Sequence, residues 1–194
     1  MDSDLIWKII DEYFKHDKYT LVSHQLESFN DFFTNGIKNI FNEKNPIKII
    51  KKENSKTNDY DYVCKMFLGG KNGDKLYYGK PIINDGENDN QFLYPNMARL
   101  KNMTYGITIH YDVDVYFKIK IEDKISEKSF TFPKIYLGRF PIMLHSKHCI
   151  LKGLDSEVAY NMGECRNDTG GYFIIDGKEK SIVCQEKFAD NMLY

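Results

Sequence analysis

The chain of 194 residues has little arginine, no dominant charge sign and no long apolar run. Only Arg99, Arg139 and Arg166 are arginines among 27 basic residues, and 28 acidic residues leave a net charge of -1. This balance excludes a global electrostatic attraction to nucleic acid or anionic lipid, so any such contact must come from a local patch. No stretch reaches the roughly 18 uninterrupted apolar residues of a membrane helix. The sequence therefore predicts no membrane partner.

Signals for export and for oxidised cysteines are also missing. The N-terminal sequence MDSDLIWKIIDEYF carries acids where a signal peptide has basic residues. The four cysteines, Cys64, Cys149, Cys165 and Cys184, form no CxxC pair, which favours reduced thiols in a cytosolic or nuclear setting. We therefore expect an intracellular protein.

The composition is that of a globular chain with a substantial core. Hydrophobic residues make up 42%, aromatic residues 14%, and the mean hydropathy is -0.52. Apolar spacing predicts a helix from Ser3 to about Lys18 and a second one from near Ser23, with a possible break at Gly36. The apolar stripe of the second helix would hold Leu26, Phe29, Phe33, Ile37 and Ile40. Pro46 is expected to end helical structure.

The rest of the chain is dominated by strand patterns. IKII and DYVCKMFL predict two strands around a loop over Lys51 to Asp59, and Gly69 to Asn90 predicts a hairpin region or an insertion. Apolar residues at every odd position from Ile107 to Ile121 predict a long strand with one buried face. FPKIYLGRFPIML favours short or edge strands, and Asp176-Gly177 predicts a type I′ hairpin. The order predicts an α+β fold with N-terminal helices packed on a mostly antiparallel sheet.

Two residue clusters could carry chemistry. His145, His148 and Cys149, with Cys165, contain zinc-binding residue types, but their spacing matches no known four-ligand pattern, so surface or partner-facing histidines are the alternative. Asp112 and Asp114 share one face of the long strand and could act as an acid–base pair or bind a divalent ion, although a solvated strand face is the commoner explanation for such alternating polar residues.

The glycines of GGKNG predict a turn rather than a phosphate loop. Since nucleophile-elbow, metalloprotease and dinucleotide motifs are all missing from the sequence, a binding or structural domain is favoured over an enzyme. The C-terminal hairpin carries lysines that could hold phosphates or simply form a solvated surface.

Four ordered segments carry a family resemblance. They are LVSHQLESFNDF (21–32), PNMARLKNMTYG (95–106), LGRFPIMLHSKHC (137–149) and GGYFIIDGKEKSIVCQE (170–186). Together they resemble the N-terminal part of the second-largest subunit of multisubunit DNA-directed RNA polymerases of the eukaryotic, archaeal and large-DNA-virus type. The resemblance implies a single protrusion-like domain over residues 1–194 that forms one wall of the polymerase cleft. The lobe, hybrid-binding and clamp regions of the longer subunit are expected to be absent from this chain.

The resemblance also implies a role and partners. The chain alone is expected to be non-catalytic and without a cofactor, while the parent complex uses magnesium. Expected partners are the largest subunit, the remainder of the second subunit, the DNA template, the RNA–DNA hybrid and initiation factors. The expected location is the nucleus, or a cytoplasmic virus factory or virion if the source is a giant virus. A free-standing interaction module derived from that subunit is the alternative, and a small metalloenzyme is a third hypothesis.

Candidate contacts to nucleic acid follow from the same resemblance. Lys180, Gln185 and Lys187 match the strand and loop that approach the hybrid in the family, and Arg139 is a second candidate. Phosphate contacts there would position the hybrid without reading its sequence. His145 stands where the family usually has arginine, which makes any contact there dependent on pH. The terminal residues Phe188–Asn191 lack the family's small or basic residues and glycine.

Overall fold

A computed structural model describes residues 3–54, 59–84, 90–121, 124–183, 185, 187, 188, 190 and 191. These residues form the predicted α+β architecture of helices and antiparallel strands. The α-helices are α1 (Ser3–His16), α2 (Ser23–Asp31), α3 (Ile37–Lys44), α4 (Pro95–Leu100) and α5 (Ser156–Asn161). The strands are β1 (Ile47–Asn54), β2 (Asp59–Leu68), β3 (Leu76–Tyr78), β4 (Ile82–Asn84), β5 (Asn90–Phe92), β6 (Gly106–Ile121), β7 (Lys124–Pro141), β8 (Phe173–Ile175) and β9 (Lys178–Lys180). None of the helices in these ranges has the length and apolar character needed to cross a membrane.

The N-terminal helices differ in how they are packed. The apolar side chains of α1 stay exposed, from 38% for Ile10 to 66% for Trp7. Between α2 and α3 the helix does not break at Gly36 but widens into a π-helical turn, Phe32–Gly36. A π turn accommodates an extra residue and so rotates the residues of α3 about the helix axis. The buried stripe of α3 accordingly includes Phe41, whereas the predicted Ile40 is 47% exposed.

The main sheet is built around β6. Strands β2 and β3 pair with successive segments of β6, β7 pairs with it along its length, and β1 pairs with β2, all antiparallel. The loop predicted over Lys51 to Asp59 is wrong at both ends, because β1 continues to Asn54 and β2 starts at Asp59. The ladder between them continues to the Asn54–Asp59 pair, while residues 55–58 lie outside the described part of the chain.

FPKIYLGRFPIML predicts short or edge strands; the short-strand alternative is wrong, because β7 is one long strand, and the edge-strand alternative is confirmed among the described strands. Its prolines are tolerated because β7 has β6 as its partner within the described strands, which leaves its other edge unpaired there. Two register shifts absorb the irregularity, and one of them places Pro133 and Lys134 in a bulge opposite Asp112. Lys134 has a φ of 51° in this bulge.

The alternation along β6 is confirmed on its apolar face. Ile107, Ile109, Val113 and Val115 are buried in the core. The core also holds Phe33, Ile37 and Phe41 from the helices, Leu93 and Ala98 near α4, Tyr105, Ile142, Leu144, Cys149, Leu151 and Ile174. The region Gly69 to Asn90 contributes the predicted hairpin through the pairing of β4 with β5, and the connection 85–89 is outside the described residues.

Candidate nucleic-acid interface

The C-terminal hairpin β8–β9 is the predicted type I′ hairpin. Asp176 and Gly177 at its turn have φ values of 50° and 74°, the left-handed conformation that this turn requires. A Cβ on Gly177 would come within 2.8 Å of Asn102 Cα and 2.9 Å of the Arg99 carbonyl oxygen. Glycine is therefore required both for the backbone conformation and for the close approach to α4.

Arg99 fixes the hairpin to the body of the protein. Its Nη1 donates to Glu164, its Nε to Glu179 and its Nη2 to the Tyr172 hydroxyl, each at 2.8 Å. The Tyr172 hydroxyl in turn donates to Asp168 at 2.6 Å. Burial opposes the charge on Arg99, but the hydrogen bond and the negative charge of Glu164 raise its pKa. A permanently charged fork thus joins three segments that are distant in sequence.

Glu164 is the buried acid of this network. Its side chain is 3% exposed, and its second oxygen accepts the backbone N–H of Asn96 at 2.8 Å. Glu164 follows Gly163, where φ is 90° and a Cβ would come 2.3 Å from the Asn96 amide nitrogen. The glycine therefore lets the acid reach the start of α4.

The turn of the hairpin is held by a second set of contacts. The Thr104 hydroxyl donates to Asp176 Oδ1 and accepts the Asp176 backbone N–H, both at 3.2 Å. The Tyr105 N–H donates to the Ile174 carbonyl at 3.0 Å. The predicted contact residue Arg139 donates to the Thr104 carbonyl at 3.1 Å and is exposed. Arg139 therefore lies beside the hairpin turn.

The lysines of β9 occupy the outer face of the hairpin. Glu179, which binds Arg99, pairs with the fully buried Ile174 and belongs to the inner face. Because side chains alternate along a strand, Lys178 and Lys180 share the opposite face. Both are exposed. The one acid of the strand thus faces Arg99, away from the side on which the lysines stand.

The remaining predicted contact residues extend beyond β9. Lys180 ends the strand, and Gln185 and Lys187 are exposed in the segment after it. Gln25 in α2 donates to the Ile182 carbonyl at 3.1 Å, which ties this segment to the helices. The structure therefore places Arg139 at the turn and Lys180 at the other end of the hairpin, with Gln185 and Lys187 exposed in the segment that follows.

Of the two histidines of the candidate zinc cluster, His145 is buried, so the prediction of a surface position is wrong for it, whereas His148 is partly exposed. His145 is buried at a φ of 61°, and its Nδ1 lies 3.3 Å from the Tyr19 hydroxyl. The His148 ring packs against the rings of Phe33 and Tyr78, with centroids 5.1 Å away in both cases. Burial lowers the pKa of both histidines. His145 is therefore part of the interior, and His148 packs on two aromatic rings at the edge of the core.

The cysteines do not complete a metal site with these histidines. Cys149 is buried and accepts the Tyr105 hydroxyl at 3.5 Å, and burial raises the pKa of its thiol. Cys165 is exposed, while Cys184 lies outside the described residues. Among the residues that the structure describes, no group of three or more His, Cys, Asp or Glu side chains is placed to hold a metal ion.

The two aspartates of β6 are buried, so the prediction of a solvated face is wrong for them. Asp112 accepts the Tyr77 hydroxyl at 3.1 Å and the Lys134 backbone N–H at 2.9 Å. Asp114 accepts the Thr131 hydroxyl at 2.7 Å and Lys75 Nζ at 3.1 Å. The Thr131 hydrogen bond, followed by that of Lys75, lowers the pKa of Asp114. Both carboxylates therefore bridge strands.

The sequence reasoning missed Arg99 and Glu164. They are 65 residues apart, and no local pattern connects them. One signal was available, because a chain with 24 lysines retains only three arginines. Each of the three uses its guanidinium group, Arg139 on a carbonyl and Arg166 on Glu157 and the Tyr160 ring. In a lysine-rich chain, the few arginines thus indicate positions that need the several fixed hydrogen-bond donors of a guanidinium group.

Comparison with known proteins gives a consistent family assignment. Residues 20–194 match the family model described as RNA polymerase beta subunit. The chain is 32% identical over 194 residues to DNA-directed RNA polymerase II subunit 2 of Arabidopsis thaliana, covering 97% of this chain and 16% of the relative. It is 33% identical over 187 residues to DNA-directed RNA polymerase subunit Rpo2N of Methanothermobacter thermautotrophicus, covering 96% of this chain and 31% of the relative. The chain thus spans less than a third of the length of either relative.

Proposed function

The chain belongs to the RNA polymerase beta subunit family, as the N-terminal part of the second-largest subunit, and we propose that it forms one wall of the cleft that holds template and transcript. In this role the chain positions nucleic acid and does not itself join nucleotides. Its partners are the largest subunit, the remainder of the second subunit, and initiation factors that dock on the assembled cleft. An intracellular location, in the nucleus or in a cytoplasmic virus factory, follows from the same proposal.

The observation that carries this proposal is the outer face of the β8–β9 hairpin. Lys178 and Lys180 stand on that face, while Glu179 faces Arg99. Lysine side chains on a rigid hairpin can contact phosphates without reading bases. The Arg99 network and Thr104 restrict the movement of the hairpin, so its lysines keep a fixed position relative to the core.

We propose that Lys180, Gln185 and Lys187 contact the RNA–DNA hybrid and that Arg139 supports the turn. The test is transcript retention in an assembled polymerase that carries Lys180→Glu and Lys187→Glu together. Reversing two charges should shorten the lifetime of stalled elongation complexes several-fold, most strongly at low salt, where phosphate contacts contribute most. The matched control is Lys44→Glu with Lys152→Glu. Both lysines are exposed; Lys44 is the last residue of α3, and Lys152 follows the buried residue Leu151. Equal retention in both double variants would refute the contact.

The partner proposal has its own test. Affinity capture of the tagged chain from its source should recover the largest subunit and the rest of the second subunit in stoichiometric amounts. Capture without polymerase subunits would support the free-standing module instead. The isolated chain, with a net charge of -1, is expected to bind a hybrid only weakly. Submicromolar binding of a hybrid at physiological salt would contradict that expectation.

A further inference from the structure

A lysine-rich groove crosses the main sheet far from the hairpin. It has a volume of ≈ 750 Å³. Its described lining residues come from β1, β2, β6 and β7 and from the turn after β2: Lys48, Ile50, Val63, Lys65, Phe67, Lys71, Tyr116, Phe117, Lys118, Glu127, Lys128 and Ser129. Among these twelve residues there are five lysines and one carboxylate. In a chain with a net charge of -1, the groove is a local concentration of positive charge.

The strand register brings the lysines together. Lys48 on β1 lies directly opposite Lys65 on β2, and Lys65 lies opposite Tyr116 on β6. In the neighbouring row, Lys118 is opposite Glu127, with Nζ and Oε1 3.4 Å apart. Like charges directly opposite each other destabilise a sheet. The Lys48–Lys65 pair is therefore a cost to the fold that a bound anion would remove.

Protection of a sheet edge does not account for these lysines. Edge strands often carry lysine to prevent pairing with other chains, and Lys48 on β1 fits that role. Lys65, however, is on β2 between β1 and β6, and Lys118 is on β6 between β2 and β7. Neither strand is an edge at these positions. The lysines on inner strands thus need another explanation.

Aromatic side chains lie among the lysines. The Phe67 and Tyr116 rings meet edge to face with their centroids 5.5 Å apart. The Lys71 ammonium lies 5.5 Å from the centroid of the Tyr116 ring. Proteins that bind single-stranded nucleic acid combine a positive groove with aromatic surfaces for the bases. The groove has both the lysines and the aromatic rings, in the row Lys48–Lys65–Tyr116 and among the residues next to it.

The nearest buried acid, Asp114, forms its hydrogen bonds outside the groove, and within the groove its charge interacts with Lys71. Asp114 precedes Tyr116 on the same face of β6, and its carboxylate accepts hydrogen bonds from Thr131 and Lys75. Neither of these partners lines the groove. Glu127 is thus the single described carboxylate among the lining residues, and it is paired with Lys118.

We propose that this groove binds a single strand of nucleic acid, with Lys48, Lys65 and Lys71 on the phosphates and Tyr116 and Phe67 beside the bases. The site is separate from the hairpin. Thr108 on β6, which pairs with Arg139, is eight residues from Tyr116, about 25 Å along an extended strand. The proposal can be tested on the chain by itself, because all of the described lining residues belong to it.

The test is fluorescence anisotropy of a labelled oligothymidylate of about 20 nucleotides, titrated with the chain at several salt concentrations. The key variant carries Lys48→Gln and Lys65→Gln. Losing two phosphate contacts should weaken binding about tenfold at low salt and reduce the slope of log K against log salt by about 1.4. Removing the Lys48–Lys65 repulsion should also leave the urea midpoint unchanged or higher, which shows that the variant folds.

One matched double variant serves as the control. Lys44→Gln with Lys152→Gln removes the same charge from two exposed lysines outside the groove. Its binding should stay within about twofold of the parent chain. A groove variant that binds no more weakly than this control would overturn the proposal. A loss of binding that the control does not share would support it, and because Lys180 and Lys187 are unchanged in both variants, this result is independent of whether the hairpin contacts the hybrid.

The choice of ligand is tested by competition. An oligouridylate of equal length shows whether RNA or DNA is the preferred strand, and binding of either supports the site. A duplex that competes better than both single strands would refute the single-strand assignment. Polyglutamate that competes as well per charge would show that the groove takes an acidic polypeptide instead. Replacing Tyr116 with Leu should weaken oligonucleotide binding while leaving competition by polyglutamate unchanged.

Discussion

Glu164→Gln should destabilise the fold far more than the same change at Glu157. The Glu164 carboxylate is 3% exposed and accepts Arg99 and the Asn96 N–H on its two oxygens. A glutamine has one oxygen, so its amide group must face one of the two donors. Removing one charge from a buried pair costs about 3–5 kcal/mol. Arg99 is 20% exposed and keeps two other partners, which reduces the expected cost to about 2–3 kcal/mol.

Glu157 is the matched control because it also pairs with an arginine. Its distance to Arg166 is 3.1 Å, but the two side chains are 61% and 53% exposed. Glu157→Gln should therefore cost no more than about 0.5 kcal/mol. Urea unfolding followed by circular dichroism measures both, and the Glu164 variant should shift the midpoint by about 1 M with an unchanged slope. Equal midpoints for the two variants would show that the Arg99 network contributes no stability.

Two further predictions use conformation and pH. Gly170→Ala should cost about 2–3 kcal/mol, since its φ is 71° and a Cβ would come 2.5 Å from the His145 ring. Gly153→Ala, at a φ of 79° with nothing within 4 Å, should cost about 1 kcal/mol, so equal urea midpoints would contradict the steric argument. Burial lowers the pKa of His145 below its usual 6.5. As the pH falls, His145 is therefore protonated at a higher pH in the unfolded chain than in the folded one. Protonation favours the unfolded state, so the free energy of unfolding should fall as the pH drops below about 7. His145→Asn, which tolerates the positive φ, should reduce this dependence between about pH 7 and about pH 5, leaving the part that comes from His148. An unchanged slope would show that His145 does not contribute to it.

Features encoded in short stretches of sequence were predictable. The period of two along β6 requires one buried face, and Ile107, Ile109, Val113 and Val115 are buried. Asp176-Gly177 supplies the positive φ values of its turn from within the two residues. The fold class and the family therefore follow from patterns that need no tertiary information.

Features that depend on distant partners were not predictable in this way. The alternation predicts a solvated face for Asp112 and Asp114. Asp112 is instead bound by Tyr77, 35 residues earlier, and Asp114 by Lys75, 39 residues earlier. A periodicity describes one strand and contains no information about which side chains approach it from others. The same holds for His145, whose buried position depends on Tyr19, 126 residues away.

The two candidate sites also differ in whether a local stretch of sequence reveals them. Lys180, Gln185 and Lys187 were found through a family motif, and all three are exposed. The groove has no motif at all, because its lysines come from four strands and a turn. The register Lys48–Lys65–Tyr116 places two of these lysines in one row, with Lys118 in the next.

The small size of the β8–β9 hairpin has a consequence for how the protein opens. A ladder of three residue pairs is not stable in water by itself. Two contacts connect the hairpin to the core: Arg99 of α4 binds Glu179, and Tyr105, which precedes β6, donates to the Ile174 carbonyl. The hairpin is therefore part of the same cooperative unit as the core. Its backbone amides should therefore exchange with solvent deuterium as slowly as those of α4. The hairpin would then leave its place only when the surrounding core unfolds, and its lysines would move with the whole domain.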